Sequence, residues 1–406
     1  MMRGADGRDA PSDTVEDRGD VPATRQELKI GLALSGGGMR AAVFHLGVLG
    51  RLAAEGVLEN VEFVSTVSGG SLGTGLVYTI AGNRWPASDE YFGAVVPEAK
   101  RLLTTVDIQR VSLLRLLGRP WRLLSRGWAN VLAEVLRSEW GVRGRVNELP
   151  SNPRWIINAT SYESGKNWRF APRRMGDYFT GHVFEPPVPV ADAMAASAGY
   201  PMLIGFLVLE TADYAWERYL DGSTSETESA VPGLRRVHLW DGGVYDNLGV
   251  EALFKPGRKW RLRDGCNFLV VSDASGALGP ERRYRVYRQA RRLLSIAMDQ
   301  VRSLRVRMIF DHFLAAPGSG VYLMMGRSAQ TALREAGLST AEIEAIATGC
   351  LPDEEVEQAA LFPTTLRRVK EKDFDRLYRH GWEAADCNLR ARRPDLFATA
   401  PTRRPP

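Results

Sequence analysis

The stretch Ile30-Gly-Leu-Ala-Leu-Ser-Gly-Gly-Gly-Met-Arg40 admits few folds. Its apolar run stops at Ser35 and three glycines, after which Ala41, Val43, Phe44, Leu46, Val48 and Leu49 recur at near-helical spacing until Gly56. This order reads strand, glycine-rich turn, helix. Three glycines let the backbone approach a bound group closely, and the first turn of a helix offers N–H groups without partners inside the helix. A turn of this kind stabilises negative charge. A second strand reads over Val61 to Val67, with Ser68 at its end and a helix resuming from Ser71 to Ile80. A serine on such a sharp strand-to-helix turn has its hydroxyl pushed out at the sheet edge, where a covalent nucleophile sits.

The literal pattern Gly-x-Ser-x-Gly falls on Gly69-Gly-Ser-Leu-Gly73 and would make Ser71 the nucleophile. Ser71 lies about one turn into the helix, however, whereas Ser68 follows the strand directly, where the strained turn must be. The small residues of the motif exist so that strand and helix can pass on either side of the serine. Around Ser68 the position two residues on is Gly70, but two residues before it stands Thr66, where glycine is usual.

A base is needed to activate a serine. Val237-His-Leu-Trp240 reads as a strand running into Asp241-Gly-Gly243. An Asp-Gly pair alone is ordinary turn chemistry. At a strand end before two glycines, the carboxylate can also accept a serine proton. His238 is the rival base if a Ser-His-Asp triad operates, but it stands inside the strand, away from its end. Asp246 is the weaker carboxylate candidate, and His45, among Ala42, Phe44 and Leu46, reads as a core histidine.

The glycine-rich turn, the serine elbow and the downstream Asp-Gly-Gly, in this order, resemble the bacterial patatin-like phospholipases. The resemblance runs over about residues 28 to 276 and includes Asn158-Ala-Thr-Ser-Tyr-Glu-Ser-Gly165 and Ala195-Ala-Ser-Ala-Gly-Tyr-Pro201. It implies a three-layer α/β/α sandwich with a mostly parallel central sheet, and a Ser-Asp dyad without histidine. Carried over, Ser68 is the nucleophile, Asp241 its base, and Gly36, Gly37 and Gly38 with Arg40 the oxyanion hole. The family's turn commonly opens with Asp and closes Arg-Gly, whereas this one opens with Ser35 and closes Arg40-Ala41; neither change removes an N–H donor. The implied activity is hydrolysis of fatty-acyl esters of phospholipids or lysophospholipids, with no cofactor and no metal.

With 406 residues and 44% apolar composition the chain can bury a large core. The expected organisation is one catalytic domain over residues 27–338, carrying a helical insertion or lid at 84–150, with C-terminal helices at 339–393 packed on it. Residues 1–26, rich in Asp, Arg, Gly and Pro, and residues 394–406 read as disordered tails. No uncharged apolar run reaches the roughly 18 residues of a spanning helix. Cys266, Cys350 and Cys387 are too few and too scattered for a disulfide frame, which suits a reducing compartment. The expected location is cytoplasmic, peripheral at the inner membrane face.

Two arginine-rich regions bear on partners. In the insertion, Arg101, Arg110, Arg115, Arg119, Arg122 and Arg126 stand among Leu113, Leu114, Leu116, Leu117, Trp121 and Trp128. That composition fits a helix pair in a lipid interface as well as it fits a solvated Arg face over a buried Leu stripe. Farther on, Val286, Ala290, Leu293, Leu294, Ala297, Val301, Leu304 and Met308 make one apolar stripe within a helix carrying arginines from Arg282 to Arg307. Its plain reading is a solvated charged face. The alternatives are a site for lipid headgroups, for an anionic nucleotide activator or for a partner subunit. Nucleic acid is not expected, because aromatic residues are not interleaved as a stacking platform. The partners expected are a lipid substrate and a phospholipid membrane surface; oligomeric state is not legible. Two non-hydrolase readings stand beside this: a nucleotide-binding protein using Ser35–Gly38 as a phosphate cradle, which lacks the usual phosphate-loop patterns, and a non-catalytic membrane-binding scaffold.

Overall fold

The apolar runs at Ile30–Leu34 and Phe268–Asp273 show no alternation of polar and apolar residues, as befits strands covered on both faces. The computed structural model describes residues 21–397 except 23, 119–126, 202, 221–225, 255–261, 264, 277 and 281–284. It places both runs inside one sheet of twelve strands among the described residues, second and third from one edge. Strands β1 (Ile30–Leu34), β2 (Val61–Thr66) and β3 (Arg154–Ser161) lie in sequence order. The meander β4 (Asn167–Ala171), β5 (Arg174–Asp177), β6 (Gly181–Phe184), β8 (Trp216–Tyr219) and β9 (Thr227–Ala230) extends the sheet on the far side of β3, while β7 (Leu207–Glu210) pairs with β10 (Arg236–Asp241). On the other side of β1 stand β11 (Phe268–Asp273) and β12 (Gly320–Met324). The sheet is parallel across β12-β11-β1-β2-β3 and antiparallel beyond. The expected mostly parallel sheet therefore holds only for the five strands from the β12 edge to β3. Short turns such as the one between Ala171 and Arg174 can join only antiparallel neighbours; a parallel strand needs a crossover.

One feature of the register positions the site. β4 pairs with residues Ile157–Thr160 of β3 and so occupies one edge of that strand. On its other edge, Arg154–Ile157 pair in parallel with Phe63–Thr66 of β2, and Ala159–Ser161 pair antiparallel with Leu239–Asp241 of β10. β2 and β10 thus run toward each other along a common rail, and their ends meet at Asn158.

Helices α1 (Gly38–Ala54), α2 (Gly69–Ile80), α3 (Val190–Ser197) and α5 (Glu371–Arg392) share the main core, which includes Leu32, Phe44, Leu76, Met194 and Phe374. The insertion adds helices at Val96–Thr105, Ile108–Leu117 and Trp128–Glu139, whose Leu103, Ile108 and Leu136 enter the same core. Arg119, Trp121, Arg122 and Arg126 lie outside the described residues. A smaller core, with Phe63, Ile156, Leu248, Phe254 and Leu269, takes Ile309 from the long helix α4 (Val286–Ala315). The expected apolar stripe of α4 is divided: Met308 packs against this core, whereas Val286, Leu293 and Leu304 point to solvent. Arg282 and Arg283, before it, are outside the described residues.

Part of each segment expected as a tail is ordered. Pro394–Phe397 is a helical turn with Leu396 and Phe397 buried, Arg25 Nε donates to the Leu396 carbonyl at 2.5 Å, and its guanidinium lies 5.6 Å from the Phe397 ring. An aromatic side chain close to the chain end offsets the cost of ordering it. Residues 1–20 and 398–406 lie outside the described residues.

Candidate active site

Ser68 stands between the last residue of β2 and the first of α2, with φ 50° and ψ −115°. A non-glycine residue there carries strain of about 1–3 kcal/mol, which the surroundings must hold in place. A buried ladder of hydroxyls does so. Trp155 Nε1 donates to Thr66 Oγ1 at 2.9 Å, Thr66 Oγ1 and Ser71 Oγ are 2.8 Å apart, Ser71 Oγ and Ser197 Oγ again 2.8 Å, and the Ser68 N–H donates to Ser197 Oγ at 3.0 Å. Thr66, where a glycine is usual, and Ser71, the literal motif serine, are both rungs of this ladder. Ser71 is fully buried, while Ser68 is 9% exposed.

Asp241 ends β10 and is brought to Ser68 by the end-to-end meeting of the two strands. The Ser68 hydroxyl donates to its carboxylate, and the Gly243 N–H donates to Asp241 Oδ1 at 2.7 Å. Burial pushes the Asp241 carboxyl up to about 7, against the opposing pull of these two hydrogen bonds. Thr160 Oγ1 donates to the Asp241 carbonyl at 2.9 Å. Asn158, at the junction, spans the gap by donating to Ser65 Oγ at 2.9 Å and to the Thr66 carbonyl at 3.0 Å.

The glycine-rich turn lies alongside. Gly36 donates its N–H to the Asn247 carbonyl at 3.0 Å, and Met39 donates to the Thr365 carbonyl at 2.9 Å, so neither is free to meet an anion. Between them Gly37 (φ 149°) and Gly38 (φ 64°) take backbone conformations that side chains resist, and Gly38 is the first residue of α1. A helix leaves its first N–H groups without intrahelical partners. A methyl group on Gly69 would collide with Gly38, which shows how closely the elbow and the turn approach. Gly38→Ala would put its Cβ 2.6 Å from the Thr365 carbonyl oxygen at an unfavourable φ. It is expected to cut kcat on an acyl ester by about 10²–10³-fold through displacement of a donor, checked by steady-state kinetics alongside a thermal melt.

Arg40 goes elsewhere than the resemblance implies. Its guanidinium donates to the carbonyls of Ala274 (3.3 and 3.2 Å), Ala360 (3.3 Å) and Phe362 (2.7 Å), and burial lowers its pKa to about 10. These four bonds tie the turn to the loop after β11 and to the segment before α5. Beneath the turn, His45 is held between Ser272 Oγ (2.8 Å) and the Ser35 carbonyl (2.9 Å), and burial lowers it to about 4, so it is neutral near pH 7.

The rival groups have other partners. Alternation along β10 turns His238 to the face opposite Asp241, where its Nδ1 is 2.5 Å from Glu163 Oε1. Asp246 accepts the Leu248 and Glu251 N–H groups at 3.2 and 2.9 Å and lies 3.3 Å from Arg305 Nε. Sequence reasoning did not single out Ser197, Asn247 or Thr365, which hold the elbow and the turn. They come from separate segments, and only tertiary contact gives them a role.

A strand-to-helix serine bonded to a buried carboxylate thus converges with a glycine-rich helix start on a mixed α/β/α sheet. The family model of patatin-like phospholipase matches residues 32–254, more than half of the chain, and the chain belongs to that family. Among solved structures, human GIVD cytosolic phospholipase A2 is similar at 16% identity and a TM-score of 0.52, covering 91% of this chain and 61% of that one. The chain thus spans about three-fifths of that enzyme's length. The same enzyme in complex with methyl gamma-linolenyl fluorophosphonate and terbium chloride matches at 16% identity and a TM-score of 0.49, over 92% of this chain and 60% of that one. VipD from Legionella pneumophila matches at 14% identity and a TM-score of 0.30, over 65% of this chain and 52% of that one. No curated protein sequence matches.

Proposed function

We propose that this protein is a serine acyl hydrolase that cleaves fatty-acyl esters of phospholipids or lysophospholipids, with Ser68 as nucleophile and Asp241 as its base. The observation that carries this reading is a buried carboxylate accepting a hydrogen bond from a serine held at positive φ on a strand-to-helix turn. Asp241 accepts the Ser68 proton while Oγ attacks the acyl carbonyl carbon. The carbonyl oxygen becomes an oxyanion beside the Gly37 and Gly38 N–H groups. Its collapse breaks the ester bond, and the departing alkoxide of the lysolipid takes the proton from Asp241. Water then attacks the acyl-serine by the same route, which releases the fatty acid and restores Ser68. Arg40 acts here as a positioning residue that braces the turn, and Gly36 shapes it. A carboxylate with its pKa near 7 is a better base than an ordinary one and is still about half ionised at neutral pH.

The test is covalent. A long-chain alkyl fluorophosphonate should phosphonylate Ser68, seen as a mass shift on the peptide that contains it, and fatty-acid release from phospholipid vesicles should fall in proportion to labelling. Labelling at Ser71 instead would move the nucleophile one turn into α2. No labelling together with tight binding of a mononucleotide would favour the phosphate-cradle reading.

A further inference from the structure

The chemistry above uses the inner walls of the site and leaves α4 without a role. A surface helix normally turns its apolar stripe to the core and its charges to water. In α4 this holds only in part: Ile309, with Val306, Met308 and Phe313, meets the smaller core, but arginines face inward as well. Arg302 faces inward, to Asp273 at 2.9 Å and Asp299 at 3.0 Å, and Arg305 reaches Asp246 at 3.3 Å and Glu251 at 2.6 Å. Among the described residues of α4 only Ile309 and His312 are buried. Outward stand Val286, Leu293 and Leu304, 83%, 70% and 61% exposed, and their spacing puts them on one line of the helix.

The inner side of α4, opposite that line, lies over the candidate site. Met298 of α4 is 3.2 Å from where a Cβ on Gly243 would stand, and Asp241 Oδ1 is 3.0 Å from the same point.

We propose that α4 is the face by which this protein sits on an anionic phospholipid bilayer, leucines entering the acyl boundary and arginines the headgroup layer. Charge selects this occupant. Arg285, Arg291 and Arg307 are exposed on or beside α4, and Asp311 is its one exposed acid among the described residues. An anionic surface complements that excess, whereas a second copy of the chain would bring it against itself. The inference rests on the acyl-hydrolase reading only for its purpose, since docking is measured without catalysis.

The experiment is flotation of the full chain carrying Ser68→Ala, so that lipid is not consumed, with vesicles of phosphatidylglycerol and phosphatidylcholine or of phosphatidylcholine alone. Binding should favour the anionic vesicles about tenfold or more and weaken in high salt. Leu293→Glu with Leu304→Glu, both exposed and replaced by an equally good helix former, should lower binding at least tenfold without changing the melting temperature. Arg291→Gln with Arg307→Gln should erase the anionic preference. Unchanged binding in both variants would overturn the proposal, as would a lipid-free dimer in sedimentation that the leucine variant splits. Wild-type hydrolysis of a dissolved short-chain ester separates the two readings. Docking without hydrolysis sinks the functional reading alone, and hydrolysis with docking indifferent to α4 sinks this one alone.

Discussion

Ser68→Ala is expected to lower fatty-acid release from phospholipid vesicles by a factor of about 10⁴ or more, because removing the nucleophile leaves only positioning and oxyanion contacts. Ser71→Ala should behave differently in kind. Its hydroxyl touches Thr66 and Ser197, so deletion leaves two buried hydroxyls short of a partner and should cost about 1–3 kcal/mol of stability. Since Ser197 accepts the Ser68 N–H, a modest fall in kcat, less than about tenfold, should accompany that loss. Parallel assays of the two variants, with urea unfolding followed by circular dichroism, separate the roles. Loss of activity confined to Ser71→Ala would reverse the assignment.

Asp241→Asn is expected to abolish turnover and yet make the protein more stable at pH 8. The folded chain holds the Asp241 proton up to about pH 7, whereas the ordinary carboxyl releases it near 3.8. Between those values the folded state binds more protons than the unfolded one, so this group's contribution to stability falls as pH rises. Above pH 7 the buried carboxylate costs about 4 kcal/mol, as an order of magnitude. Asparagine keeps the shape and an acceptor for Gly243 without the charge. The variant should therefore gain a few kcal/mol over wild type at pH 8, with the gain vanishing below about pH 4, where the carboxyl is protonated in both states. Urea midpoints at the two pH values measure this. In wild type, kcat/KM should climb with pH through about 7, since only the ionised carboxylate accepts the serine proton. A profile flat from pH 5 to 8 would remove Asp241 from the role of base.

Much of this site was legible before any fold was known, because its parts are local. Glycines at Gly36–Gly38 and a serine after an apolar run announce a turn and an elbow from neighbours in sequence alone. What remained hidden is long-range. The partner of Arg40 lies in carbonyls of Ala274, Ala360 and Phe362, and nothing in the motif around Arg40 points to them. The meander β4–β9 is built of short strands with mixed polarity, such as Arg174–Asp177, whose pattern is too brief to fix a period. The sequence of α4 shows a line of apolar residues but not its direction, because periodicity shows that a helix has two faces and leaves open which one meets the core; Met308 meets it, and Val286, Leu293 and Leu304 point to solvent.

The rail formed by β3 gives the protein a built-in sequence of events during synthesis. β2 can settle on the first half of β3 as soon as that strand exists, but the second half stays vacant until β10 has been made, and a slip of one residue there would turn Asp241 to the opposite face. A nascent or partly folded chain thus carries its serine without its base. On refolding from urea, helical signal should return before esterolysis, since long-range pairing is slow. Coincident recovery of the two would argue against that order. The arrangement keeps the proposed serine apart from its proposed base until β10 has zipped into register on β3.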